Sequence, residues 1–301
     1  MMLLRRLALV AGLLPALAGC RNTRRARAAE ARTVATTRTE QFARRIAVAD
    51  SNPAKVIPLA MWLMPPELNE ISGLALTSRG TVLTHDDNIG RVYEIDPKTG
   101  ILLKSFSLLD NRKGDFEAIT IVGSDIYLMA SNGKLYKFKE GADGQHVPFS
   151  TYDTGLGKVC EFESLAYEAD SSRLVMVCKR FLDKNEPHAV LIYRLPLPLG
   201  NLASISTVRI PIQDVAGSNH WKNFRASDIA VDPTTGNYVI ISGREKGLIV
   251  VTPDGDVLRS ELLPGEHRQP EGVAITKDSI LLVSDEANVK PAVITLYKWH
   301  P

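Results

Sequence analysis

The fold is decided by residues 225–263, which break into four short runs: RASDIAVDPTTG (Arg225–Gly236), NYVIISG (Asn237–Gly243), GLIVVTPDGD (Gly247–Asp256) and VLRSELL (Val257–Leu263). The runs are rich in aliphatic and β-branched residues and are parted by turn pairs such as Thr-Gly and Asp-Gly. Four such runs in about forty residues, with no helical periodicity between them, read as one four-stranded antiparallel unit.

The unit recurs. EISGLAL (Glu70–Leu76), DFEAITI (Asp115–Ile121), EFESLAY (Glu161–Tyr167), RASDIAV (Arg225–Val231) and QPEGVAI (Gln269–Ile275) align on their third residue, which is Ser72, Glu117, Glu163, Ser227 and Glu271. The spacings between these positions are 45, 46, 64 and 44. A period near 45 with four strands per period is the mark of a β-propeller blade. The last unit supplies only three strands before the chain stops. A segment ahead of the first repeat, Ala54 to Met64, has the character of the missing one, and donating it to the last blade closes the ring and removes open sheet edges. The expectation is an all-β chain: a five-bladed propeller of four-stranded antiparallel blades over residues 54–301, closed by an N-terminal strand. A sixth blade hidden between Glu163 and Ser227 is the alternative.

The N-terminal fifty residues are of another kind. MMLLRR is a basic start, LALVAGLLPALAG is apolar but short for a membrane span, and LAGC (Leu17–Cys20) ends the run. The ending resembles a bacterial lipobox. That resemblance implies a signal peptide over residues 1–19, a lipid on Cys20, and attachment to the membrane of the bacterial envelope; Arg21 rather than Asp after the cysteine leans towards the outer membrane, facing the periplasm. Residues 21–50 carry eight Arg against two Glu and one Asp, and residues 20–53 read as a lipidated Cys and a flexible basic tether. Taking out residues 1–50 leaves 26 basic and 31 acidic groups in the remainder, a balance of −5. An acidic, exported domain argues against nucleic acid as a partner. The partners to expect are the membrane, through the anchor, and a small molecule or an envelope protein; the chain is expected to be a monomer. Cys160 and Cys178 flank a hairpin and are candidates for a disulfide, two buried thiols being the alternative.

With the five anchors and the lipobox in view, the chain resembles the SdiA-regulated (YjiK-type) family of exported bacterial proteins over about residues 55–299. The resemblance implies a five-bladed propeller related to NHL-type repeats, no defined reaction, and calcium by analogy with related propellers. The family's glycine after the anchor is replaced here by Ala118, Ser164 and Asp228.

In a propeller, first strands line the central channel and second strands return beside them. One face therefore gathers Ser72, Glu117, Glu163, Ser227 and Glu271 with Asp87, Glu245, Asp285 and Glu286 from second-strand ends. Lys179 and Arg180 stand at the corresponding end in blade 3. The long loops of that blade add His188, His220, Trp221 and Arg225. The anchors have three readings: they bond to main-chain groups of the next blade; Glu117, Glu163 and Glu271 join Asp87 and Asp285 around a calcium ion; or they touch a ligand directly. There is no G-x-S-x-G, H-E-x-x-H, Walker or Rossmann pattern, and adjacent residues in HDDN (His85–Asn88) point to opposite faces of a strand. The leading expectation is a membrane-anchored binding module. A calcium-dependent hydrolase of lactonase or phytase-like kind, with its site at the channel mouth, is the alternative.

Overall fold

The computed structural model describes residues 16–53, 55–183, 188–200 and 202–301, with side chains from residue 26 onward apart from residue 202. Five antiparallel sheets form a ring. Their innermost strands are Ile71–Leu76, Phe116–Val122, Cys160–Glu168, Asp228–Val231 and Pro270–Ile275. Each packs against the innermost strands of the blades on either side, and blade 5 returns to blade 1. No sixth blade forms among the described residues; the extra length of blade 3 goes into long strands, such as Arg173–Phe181, and the loops around them.

Closure is as expected. Pro58–Leu63 pairs antiparallel with Val293–Lys298 as the outer strand of blade 5. Blade 1 gains a fifth, two-residue strand, His146–Val147, lent by the loop of blade 2 and lying parallel to Ile101–Leu108.

Five apolar clusters hold the ring, one at each junction between blades. The pleat explains this. Successive strand residues point to opposite faces, and a blade is covered on both, so Ile240 joins the blade 3–4 cluster while Ile241 joins the blade 4–5 cluster. Strands buried on both faces read as continuous apolar runs rather than alternating ones. The Cys160 and Cys178 sulfurs are bonded at 2.09 Å, across the first two strands of blade 3.

Residues 16–51 depart from the sequence reading. In place of a flexible tether they form one helix, Ala16–Ser51. Its Ala and Arg content favours helix intrinsically, and its C-terminal half has a surface to pack on. Phe42, Ile46 and Ala49, at i, i+4 and i+7, lie in the cluster between blades 5 and 1. The Arg38 guanidinium donates to the Thr99 carbonyl at 2.6 Å and sits over the Trp62 ring; Lys298 pairs with Asp50. Among the described residues no helix is long and apolar enough to cross a membrane. The signal-peptide reading falls mostly on residues 1–15, and lipidation on the Cys20 side chain; both lie outside the described part.

Candidate functional site

The anchors reach the channel mouth by one local device. In blades 2, 3 and 5 the register between first and second strands slips at the anchor, between Phe116 and Ala118, between Phe162 and Ser164, and between Pro270 and Gly272. Glu117, Glu163 and Glu271 are therefore bulge residues. In blade 1 the slip spans Ser72 and Gly73, between Ile71 and Leu74. A bulge leaves the extra residue out of the ladder and re-aims its side chain, which is how a polar residue begins a strand that is otherwise core.

Serine and glutamate then do different work. Ser72 Oγ donates to the Glu117 carbonyl at 3.0 Å, joining blade 1 to blade 2, and Ser227 Oγ donates to the Pro270 carbonyl at 2.8 Å, joining blade 4 to blade 5. The hydroxyl is the donor in both joints. The glycines kept after the anchor in blades 1 and 5 sit where strands approach closely. A Cβ on Gly73 would lie 3.1 Å from the Ala118 Cα, and one on Gly272 would lie 2.7 Å from the Ser72 carbonyl oxygen. At the matching place in blade 4, Asp228 is buried and accepts the Val273 amide of blade 5 at 2.8 Å; burial pushes its carboxyl well above the usual range.

The glutamate carboxylates make no such joint among the described residues. Glu117, Glu163 and Glu271 line a cavity of about 160 Å³ with Glu70, Ser72, Asp87, Lys179, Gln269 and Glu286. Lys179, reaching in from the second strand of blade 3, forms an ion pair with Glu163 Oε1. The Glu163 side chain is 7% exposed, and its other oxygen, Oε2, has no hydrogen-bond partner. Burial first, then the charge of Asp115, pushes the Glu117 carboxyl up to about 8, against the opposing pull of Lys179. Burial and the Glu70 carboxyl beside it push Glu286 up to about 8, and burial with Glu70 and Asp86 pushes Asp87 up to about 6. Glu271 is raised for the same reason, with Lys179 and the Gln269 amide opposing.

Other sequence candidates fall outside this cavity. Asp285 accepts the Arg268 and Gln269 amides and pairs with buried His267 at 2.6 Å, which fixes the entry to blade 5. Glu245 accepts the Arg225 amide and closes its own turn through Ser242. Trp221 packs against Phe224, rings tilted at 46°, in the blade 3–4 core. His188, His220, Trp221 and Arg225 do not line the mouth. His85 is fully buried, which lowers it to about 4.

The donor set does not fit calcium. That ion needs six to eight oxygens converging within 2.3–2.6 Å. Among the described residues no three His, Cys, Asp or Glu side chains are grouped to hold a metal ion, and Asp285 is engaged elsewhere. Among the described residues the cation paired with a carboxylate of the mouth is the Lys179 ammonium, with Lys246 acting on Glu271 from a greater distance. Lys179 breaks the acidic pattern of second-strand ends, and that break was the signal in the sequence for its role. Glu70 and Gln269, each the opening residue of a repeat, also line the mouth; only the ring geometry picks them out.

The opposite end of the channel holds a second cavity of about 740 Å³. It is lined by the ends of the innermost strands, including Leu76, Ile121, Tyr167, Val231 and Ile275, and bounded by Thr39, Phe42, Ala43 and Ile46 of the helix. The repeated anchor positions all lie at the upper face, so the repeat gives no sign of this cavity. The Phe42, Ile46, Ala49 spacing was the available clue.

The profile of the SdiA-regulated family matches residues 65–289. No curated protein matches the chain by sequence. Among solved structures, the PQQ-bound aldose sugar dehydrogenase of Streptomyces coelicolor is similar at 13% identity and a TM-score of 0.55, covering 81% of this chain and 98% of the other. Glutaminyl cyclase of Myxococcus xanthus is similar at 10% identity and a TM-score of 0.57, covering 82% and 97%. Likeness at this identity speaks for a shared propeller fold alone.

Proposed function

The chain belongs to the SdiA-regulated family of β-propellers, and on that premise we propose that it is a binding module of the bacterial envelope which takes its ligand at the acidic upper mouth. The lipobox-like LAGC supports attachment through a lipid on Cys20, and the basic N-terminal segment supports a position beside anionic headgroups.

One observation carries the reading. The bulge-borne carboxylates of Glu117, Glu163 and Glu271 face a solvent-reachable cavity and take no part in joining blades. Buried carboxylates with less counter-charge than they carry are costly to keep, so a further partner that satisfies them is the economical explanation. A hydrolase reading draws no support from the mouth: among the described residues no three His, Cys, Asp or Glu side chains are grouped to hold a metal ion, and the Ser72 hydroxyl donates to the Glu117 carbonyl rather than to a base.

The test is a thermal-shift screen of the full chain against organic cations, calcium, dicarboxylates and neutral sugars, repeated with Glu117→Gln. A stabilising compound whose shift disappears in the variant supports the reading. Shifts that persist in Glu117→Gln, or ester hydrolysis abolished by Glu163→Gln, overturn it.

A further inference from the structure

Lys179 shows what kind of group the upper mouth accepts. Among the described residues six carboxylates line the cavity, from Glu70, Asp87, Glu117, Glu163, Glu271 and Glu286, with the Lys179 ammonium as the cation in the lining and Lys246 acting on Glu271 from outside it. The Lys179 ammonium belongs to a long, flexible side chain that is 30% exposed, and it engages only one oxygen of Glu163. The second oxygen is buried and without a hydrogen-bond partner, on a side chain that is one of the cavity's lining residues. Among the described lining residues the carboxylates outnumber the counter-charge; burial first, and neighbouring carboxylates second, raise their affinity for protons.

A second cation would relieve that excess, and the geometry selects its class. A divalent metal requires convergence that these side chains do not have. An alkylammonium has three donors and bonds carboxylates spread around it at about 2.7–2.9 Å. A cavity of about 160 Å³ admits a –CH2–NH3+ end but not a whole sugar or nucleoside. The rest of such a ligand stays outside.

We propose that the upper mouth is a receptor for a primary ammonium group, on a small polyamine or a lysine side chain, and that Lys179 is its internal competitor, holding Glu163 until the ligand's ammonium replaces it. This rests on the reading of the mouth as the binding site, and names its ligand class.

The experiment is isothermal titration of the full chain at pH 7.5 and low salt. The probes are 1,5-diaminopentane and an uncharged-backbone lysine derivative, Nα-acetyl-lysine amide, with glutarate and calcium chloride as controls. The diamine and the lysine derivative separate the two sources of the ammonium. Binding of either, weakened at least tenfold by Glu163→Gln and tightened at least fivefold by Lys179→Gln, is the expected result. Should Lys179→Gln fail to fold by circular dichroism, Glu117→Gln decides instead: at least threefold weakening supports the proposal and no change overturns it. If glutarate or calcium binds in a manner lost in Glu117→Gln while neither amine binds, the mouth stands as a site and the ammonium inference fails. If no probe's binding depends on Glu117 or Glu163, both fail.

Discussion

The two ends of one channel are built from the same five strands and differ in almost every property. The upper end is small and ringed by carboxylates; the lower is several times larger, lined by aliphatic strand residues together with Arg79, Lys98 and Lys277, and crossed by a helix. The difference arises within a few residues of each strand. At the upper end a bulge takes Glu117, Glu163 and Glu271 out of the ladder and turns them to the axis. Past the bulge the pleat resumes and the same strands present Ile121, Ala166 and Ile275. A polar function thus starts a core strand without a charge entering the core, because the bulge confines it to the rim.

That contrast can be broken in four places. The largest effect belongs to the lower end. Phe42→Ala removes a buried aromatic from the helix contact and should weaken docking by about 3 kcal/mol. Hydrogen exchange across residues 38–50 should speed up, with trypsin cutting at Arg44 and Arg45; protection equal to wild type would mean that the helix is held by something else. Next is the disulfide. Cys178 adjoins Lys179, and Cys160 lies three residues from Glu163. Replacing both cysteines with serine should cost about 3 kcal/mol in urea unfolding, from the freed loop in the unfolded chain. An unchanged midpoint would argue against the bond.

Lys179→Met comes third, at about 2 kcal/mol. This is less than for a fully buried pair because the lysine is 30% exposed. Urea unfolding reads the loss; a midpoint equal to wild type would show that the ammonium does not compensate the ring. The smallest effect is the pH slope. Glu117 and Glu286 are pushed up to about 8 and Asp87 to about 6, from ordinary values of 4.5, 4.5 and 3.8. The native chain therefore keeps protons that the unfolded chain releases. Their stabilising contribution is full below about pH 4 and is lost as pH rises through about 8. Thermal stability should fall between pH 5 and pH 9, with Glu117→Gln flattening the slope by on the order of 1 kcal/mol once solvent screening is allowed for. A slope identical in the variant would remove Glu117 from the account.

Much of this was legible before any coordinates. The 45-residue period fixed the blade count, since four short strands per repeat have few other ways to bury both faces. The three-strand final unit required a donor, and Ala54–Met64 was the segment with the right pattern. The anchor alignment found Glu117, Glu163 and Glu271 as a set, with Ser72 and Ser227 beside them. It did not separate the serines, which bond the next blade, from the glutamates, which do not. That distinction depends on side-chain length measured against the neighbouring strand. The helix was missed because an Arg- and Ala-rich segment looks solvated until a partner surface is known for Phe42, Ile46 and Ala49.

What the sequence by itself determined is everything that repeats: strand length, turn positions, blade number and the polar residue at each strand start. These follow from local periodicity, which is carried in consecutive residues. What only the tertiary structure decided is everything that depends on register across strands or contact across the ring. The bulges that aim the glutamates, the ammonium of Lys179 set among six carboxylates, and the helix over the far mouth each pair residues distant in the chain. Their energies come from burial and charge at sites that exist only once the ring has closed.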